Sequence, residues 1–517
     1  NMSKTTKNGI EIEKSADTPN DSTWQKPNPK GDWCNIFLLT LLYIIQGVPF
    51  GLSSVLPIII QSNYSVTYSD QGSFSFVLWP YTIKMLWAPI VDSFYIRWIG
   101  QRKSWFIPVQ YLIGALLLCF ANNMDEWLPE SGKPNLTMIV CLLLVINFLN
   151  TTQDIVVDSW ALTMLKKNNS SYAGSCNYAG LNAGIFIGSV FPILLSSEQF
   201  CNRYLRFTPD SGGIFSIRDT IFFWSIIILS ITTLVTIFKK EKDINLEGVK
   251  ITIFQNYKLI WNILKRPGMV IFLIAVLTSS IGYPTMDTIS YLKLVDAGIS
   301  KDSIMIINTA MIVLKIILPI PVSKYTGGQK PLSLVLKFTL IRLLWNIPYA
   351  FLIYYTPFLI TNNGVVNVPV YYYLISGFII GINETLNGIM IMSHSAFFIK
   401  ITDPRFAGTY LTLSNAIRTL AWITPNTIIL KMFDTLTFKK CSNDGHDCST
   451  TDFQNICNTK QSHNCVTILD GYYIEVAICI VIGFVWYSIC KRIYKNVESK
   501  SPLHWIVDMN KPISVNI

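Results

Sequence analysis

Long apolar runs constrain this chain more than any other feature. About twelve of them reach the roughly 20 residues that cross a bilayer as a helix. The spans predicted from them are 34–60, 71–92, 105–121, 136–164, 172–195, 219–238, 268–286, 303–322, 336–358, 370–397, 406–432 and 471–490. The runs are continuous rather than alternating, so they predict an all-α membrane protein and not a strand barrel. Charged residues make up only 14% of the 517, against about a quarter in soluble chains. A soluble enzyme, a disordered scaffold and a collagen-like chain are excluded on that ground. The bilayer itself is the first partner implied, and the net charge of +10 is read against it rather than against nucleic acid.

Loop charge predicts orientation. Residues 1–33, the loops near 93–104, 165–171, 239–267, 323–337 and 398–405, and the tail after 490 share one side and hold 27 Lys and Arg. The opposite loops hold nine. The bias of basic loops toward the cytosol therefore predicts both termini there. Residues 1–33 are polar, with no apolar core or cleavage site, and read as a disordered tail. The first span is then expected to act as its own insertion signal. The far side carries two glycosylation sequons, Asn63-Tyr-Ser and Asn135-Leu-Thr, whereas Asn168-Asn-Ser falls on the basic side and is expected to go unused. Four of the 11 cysteines, Cys441, Cys448, Cys457 and Cys465, cluster in the 433–470 loop. They suggest two disulfides in an oxidising compartment. A zinc site is the alternative, but the spacing lacks C-x-x-C, and three disulfide connectivities are possible.

The longest basic loop divides the chain into an N-terminal six-span bundle, 34–238, a linker, 239–267, and a C-terminal bundle, 268–490, followed by a cytosolic tail, 491–517. The linker reads FKKEKDINLEGVK and then a short amphipathic stretch. A trace of repetition supports the division. Pro89-Ile-Val-Asp92 is followed by Gly100-Gln-Arg-Lys103, and Pro321-Val-Ser-Lys324 by Gly327-Gly-Gln-Lys330. Two such halves imply a site near the midplane between them.

The turn after span two lies where the major facilitator superfamily carries its short cytosolic turn motif. Asp70-Gln-Gly leads into SFVLWPYTIKMLWAPIVDSFY, then come RKSWFIPVQY, TTQDIVVDSWALTML in span four, TDPRFAGTYLTLSN at span eleven and LDGYYIE at span twelve. In these segments the chain resembles the acetyl-coenzyme A transporter family of the endoplasmic reticulum membrane, over residues 33–495. Bacterial muropeptide permeases resemble the Gln-Asp-x-x-x-Asp signature as well; the cysteine-bearing loop favours the first family. The resemblance implies a twelve-helix transporter with a central cavity between two bundles. It implies acetyl-CoA as the substrate, carried from cytosol to lumen, with CoA as a conceivable counter-substrate. A homodimer is compatible with the sequence, and no cofactor or metal is implied.

Such a substrate needs cations for its phosphates, and ionisable groups inside spans are functional suspects by default. Lys84 near the middle of span two has Tyr81 and Trp87 at three residues either side. Arg418 near the middle of span eleven has Trp422 four residues on. Spans two and eleven face each other in this superfamily, so the two cations are expected to converge on one anionic group, with internal ion pairs as the alternative. Lys315 in span eight extends the basic track or snorkels. Arg342 in span nine is expected to snorkel. Asp154 and Asp158 share one face of span four beside Gln153. The plainer expectation is a latch to Arg102, Lys103 or another base at the cytosolic turn; the sharper one is a protonation switch coupled to transport. Asp92 is given the latch role, and Asp287, Asn383 and Glu384 are weaker candidates. Gly180, Gly184 and Gly188 make a small-residue stripe on span five, expected to pack against span eight.

A secondary transporter leads among the function classes. No Gly-x-x-x-x-Gly-Lys-[Ser/Thr] loop is present for an ATP-driven pump. A membrane acyltransferase would need a base, and His394 is the single histidine within a span; packing is its expected role. A receptor or scaffold does not need the six-plus-six repeat. Another organic anion, or a muropeptide-like solute, is the alternative cargo.

Overall fold

The computed structural model describes residues 28–63, 74–129, 134–241, 252–402, 407–441 and 465–500, apart from isolated positions within these ranges. Helix meets each of the twelve predicted spans. Span one is Trp33–Asn63 and holds Pro49 and Pro57 within the helix. Spans three to six are Lys103–Asn122, Leu136–Met164, Tyr172–Ser196 (through a π turn at Phe186–Val190) and Ile217–Phe238. Spans nine, ten, eleven and twelve are Pro331–Ile360, Val370–Ile401, Ala407–Leu436 and Gly471–Ser499. Span twelve runs nine residues past its predicted end at 490, and span nine begins five residues before its predicted start at 336. Charged last turns such as Lys491-Arg492 weaken the hydropathy signal but not the helix.

Eight of the described helices are individually long and apolar enough to cross a membrane, and Ile306–Ile317 with Pro319–Thr326, bent by 46°, makes a ninth. The others fall short for local reasons. Span two is broken, with a 3₁₀ turn at Lys84–Leu86 between Trp79–Ile83 and Ala88–Ser93. Proline at positions 80 and 89 removes the donors a continuous helix needs. Span seven, Pro267–Leu277, turns before resuming at Thr285–Asp296, so the predicted 268–286 was cut ten residues short. Span eleven carries Asn415, Arg418 and Asn426 along its length.

Contacts repeat between the halves. The Glu241 carboxylate, after span six, accepts from the backbone N–H of Arg102 (2.9 Å) and Lys103 (3.0 Å), at the start of span three. The Glu498 carboxylate, at the end of span twelve, accepts from the N–H of Leu332 (2.7 Å) and Ser333 (3.1 Å), at the start of span nine. Each acid satisfies orphan donors at a helix N-terminus, where negative charge is also favoured. The amphipathic stretch of the linker is a helix, Ile253–Leu264, with Asn256 donating to Ser93 Oγ at 2.7 Å.

The glycine stripe packs closely, but against span one and not span eight. A Cβ on Gly180 would lie 2.6 Å from Tyr43 Cβ, and one on Gly184 would lie 2.6 Å from Gly47 Cα. One on Gly188 would lie 3.0 Å from Val48 Cα. Span one answers with its own pair, Gly47 and Gly51, four residues apart, so the backbones meet without intervening side chains. That Gly-x-x-x-Gly pair was the unread signal for the partner.

Burial differs between the two ends. Asn150–Ala161 of span four and Ala407–Ser414 of span eleven are buried without a break, at the end that carries the basic turns. Farther along span eleven, Trp422 is 52% exposed. The helices of the two halves therefore close on one another at the basic end.

The 433–470 loop lies mostly outside the described residues, including Cys448 and Cys457. Its flanks form a two-stranded ribbon, Phe438–Cys441 with Cys465–Leu469, in which Cys441 faces Cys465. This register favours one of the three connectivities. Non-reducing peptide mapping is expected to recover Cys441 joined to Cys465 and Cys448 to Cys457. Free thiols at all four positions in protein from native membranes would overturn it. Of the sequon residues, Asn135 caps span four, accepting from Met138 N–H, and Asn63 ends the span-one helix with its side chain outside the described residues.

Candidate functional site

The interior cations and acids meet at two levels. In the N-terminal half Lys84 forms an ion pair with Asp154, both nearly buried, and Gln46 donates to the other Asp154 oxygen at 2.6 Å. In the C-terminal half Lys315 pairs with Glu384 at 3.0 Å. The pairs are repeat-related: the intervals 84 to 315 and 154 to 384 match the interval 89 to 321 of the turn motif to within two residues. Gln153-Asp154 and Asn383-Glu384 are the corresponding amide–acid dipeptides.

Lys84 and Arg418 thus do not present two free charges to one anion. Arg418 donates to Ser395 Oγ at 2.7 Å, to Asn415 Oδ1 at 3.0 Å and to the Ile391 carbonyl at 3.4 Å. Its described hydrogen-bond partners are all neutral, and the carboxylates of Asp158 and Asp154 act on it only at longer range. Tyr81 and Trp87 turn toward span four. The Tyr81 hydroxyl accepts from Asn150 Nδ2 at 2.6 Å, and Trp87 Nε1 donates to Thr152 Oγ1 at 3.2 Å.

The expected latch of Asp154 and Asp158 to the cytosolic turn is not formed. Arg102 Nη1 instead donates to Asp92 at 2.7 Å, and Lys103 Nζ to the Thr236 carbonyl at 2.8 Å. Asp92 holds the latch geometry: it also accepts from Thr409 N–H (2.7 Å) and Thr409 Oγ1 (2.8 Å) on span eleven, tying the two halves at the closed end. Gln153 is buried inside the N-terminal half and donates weakly to the Leu42 carbonyl at 3.4 Å.

Asp158 stands at the junction of the halves. Tyr43 donates to its Oδ1 at 2.7 Å and Asn177 at 3.4 Å, while Asn415 of span eleven donates to Oδ2 at 3.1 Å. A cavity of about 30 Å³ adjoins it, lined by Asn177, Ser395, Ser414 and Asn415 among others. That is room for a water or two. At this junction the halves are closed against anything of nucleotide size.

Arg342 does not snorkel. It is buried, donates to both Asp287 oxygens (2.7 and 2.9 Å) and to Asn383 Oδ1 (2.9 Å), and lies 4.2 Å over the Tyr283 ring. A carboxylate, an amide and an aromatic face from two other spans outweigh the reach to an interface. His394 has the expected packing role, hydrogen-bonded to the Tyr494 hydroxyl at 3.1 Å.

Helices closed on one another around a polar junction, with repeat-related contacts in each half, define a helical membrane protein of the major facilitator fold. The fold aligns with a proton:xylose symporter of that superfamily (TM-score 0.53, 13% identity, 89% of this chain and 96% of that one). It aligns also with a bacterial homologue of the iron transporter ferroportin (0.52, 12%, 90% and 100%). The chain belongs to the acetyl-coenzyme A transporter 1 family, whose model matches residues 35–252 and 246–507. An uncharacterized protein of Schizosaccharomyces pombe is 30% identical over 460 residues, covering 88% of this chain and 85% of its own. An uncharacterized membrane protein of Saccharomyces cerevisiae is 27% identical over 552 residues, covering 92% and 98%. A putative transporter, AmpG 4, of Rickettsia felis is 25% identical over 288 residues, covering 53% and 62%.

Proposed function

We propose that this chain moves acetyl-CoA from the cytosol into the endoplasmic reticulum lumen. It does so as a secondary transporter, by alternating access of the bundles 34–238 and 268–490 about the Asp158–Arg418 junction. Both termini then face the cytosol and the 433–470 loop faces the lumen. The observation that carries this reading is the family match along nearly the whole described chain. Arg418 supports it chemically, as an interior guanidinium at the meeting of the halves whose described hydrogen-bond partners are neutral. A guanidinium is suited to bidentate capture of phosphate. Lys84 and Lys315 reach the anion on this reading only after exchanging their carboxylate partners for it, with Trp422 on the same path. Asp92 and Arg102 serve as the gate at the basic end.

Uptake of labelled acetyl-CoA into proteoliposomes tests the proposal. Arg418→Met is expected to weaken apparent affinity by roughly tenfold or more, since about 1.4 kcal/mol is a factor of ten. Arg418→Lys should recover little, because a point charge does not replace the fork. Unchanged affinity in well-expressed Arg418→Met protein would remove Arg418 from the site. The Gln-Asp-x-x-x-Asp signature of span four, at Gln153, Asp154 and Asp158, supports a second reading, a muropeptide-like cargo. Competition of such a solute against acetyl-CoA uptake discriminates the two.

A further inference from the structure

Around the junction and its counterpart in the other half, four acids (Asp154, Asp158, Asp287, Glu384) face four cations (Lys84, Lys315, Arg342, Arg418). Three of the acids are in direct ion contact, with Lys84, Arg342 and Lys315. An organic anion entering this interior meets no surplus of positive charge. It must displace a carboxylate or arrive with a proton.

Asp158 is built for the proton. Protonating Asp154, Asp287 or Glu384 would leave a cation in the interior without its counter-charge. Asp158 has no cation in ion contact among the described residues; its three donors are a phenol and two amides. The Asn415 amide, on Oδ2, can donate to a carboxylate or, more weakly, to the carbonyl oxygen of a carboxylic acid, and the long contact from Asn177 to Oδ1 has little to lose. The Tyr43 hydroxyl donates to the carboxylate and accepts from the carboxylic acid. A proton can therefore come and go without stranding a partner.

The charged and titratable groups facing Asp158 are Tyr43 on span one, Asp154 on its own helix, Lys84 on span two and Arg418 on span eleven; spans five and ten present Asn177 and Ser395. The cavity beside it has room for the water a proton needs to reach it. Because Asn415 bridges Asp158 to Arg418 across the halves, the protonation state of Asp158 and the freedom of Arg418 to take an anion are linked.

We propose that Asp158 is a proton-binding site and that the chain is a proton–organic-anion cotransporter. One proton adds to an Asp158 carboxylate oxygen as the anion enters and leaves with it on the other side; no bond of the anion is made or broken. The proposal rests on the transporter reading above and uses acetyl-CoA as its probe. Glu475, buried in the first turns of span twelve with both oxygens unpartnered among the described residues, is the competing carboxyl.

The test uses the full chain in proteoliposomes. A proton gradient directed with the anion is expected to raise labelled acetyl-CoA accumulation several-fold over equal pH. Asp158→Asn should make accumulation indifferent to the gradient, and Asp158→Glu should keep the response. A wild-type response of zero, an unchanged response in Asp158→Asn, or a response lost only in Glu475→Gln overturns the proposal. A second readout needs no substrate. Infrared difference spectra against pH are expected to show a titrating carboxyl band that Asp158→Asn removes; no such band in the wild type also overturns it. Wild-type protein that fails to carry acetyl-CoA yet shows the band sinks the cargo reading alone.

Discussion

Lys84→Met is expected to yield little folded protein, and the double variant Lys84→Met/Asp154→Asn to restore it. Both partners of this pair are more than nine-tenths buried, at 7% and 8% side-chain exposure. Removing the lysine leaves a carboxylate in the interior with Gln46 as its remaining hydrogen-bond donor among the described residues. Breaking a buried pair from one side costs about 3–5 kcal/mol, because the surviving charge stays desolvated. That is a large share of the about 5–15 kcal/mol that holds a domain folded. Asn at 154 keeps an oxygen for Gln46 and removes the charge, so most of the loss should return. The surface pair Arg218–Asp125 makes the contrast, with 46% and 72% exposure. Arg218→Met should shift stability by no more than about 1 kcal/mol. Thermal unfolding of the detergent-purified variants checks both. If Lys84→Met alone is as stable as wild type, the ion pair does not hold the half together. If the double variant folds but no longer takes up acetyl-CoA, the pair serves the cargo as well as the fold.

Gly184→Leu should abolish folded, transport-competent protein more completely than any surface change. A Cβ at that position already collides with the Ile44 carbonyl and with Gly47 Cα, and these are backbone atoms that no rotamer change moves aside. Ordinary overpacking of side chains costs about 1–3 kcal/mol; prising two backbones apart loses the contacts of the whole span-one–span-five seam besides. Gly377 in span ten is the control. A Cβ there meets nothing within 4 Å, and alanine is the better helix former, so Gly377→Ala should not lower thermal stability and should leave uptake unchanged. Undiminished uptake by Gly184→Leu would mean that spans one and five part during transport without needing this contact.

The two experiments separate what was legible in the residues from what was not. The positions of the spans were legible, because transfer of a helix into hydrocarbon is a sum over its own residues. So were the glycine stripe, from its four-residue spacing, and Lys84, Asp154 and Asp158 as suspects, from the cost of placing charge there. Breaks were less legible. Span two looks like one run, yet its prolines and the 3₁₀ turn at Lys84–Leu86 divide it.

Partner choice was decided by the tertiary structure. Arg342 looked like a residue reaching for the interface, and Asp154 like a latch for the basic turn. Which acid meets which cation depends on how each helix is rotated about its axis and which neighbour stands at that depth. Those quantities are set by packing across the whole bundle. The same holds for the stripe, whose spacing announces close approach but not the partner; Gly47 and Gly51 lie about 130 residues earlier in the chain. Sequence alone therefore determined the helical membrane architecture and the inventory of interior charges, both local sums over residues. The three-dimensional fold alone decided the pairings among those charges, and left Asp158 with neutral donors between the halves, because electrostatic energy falls with distance in space and takes no account of distance along the chain.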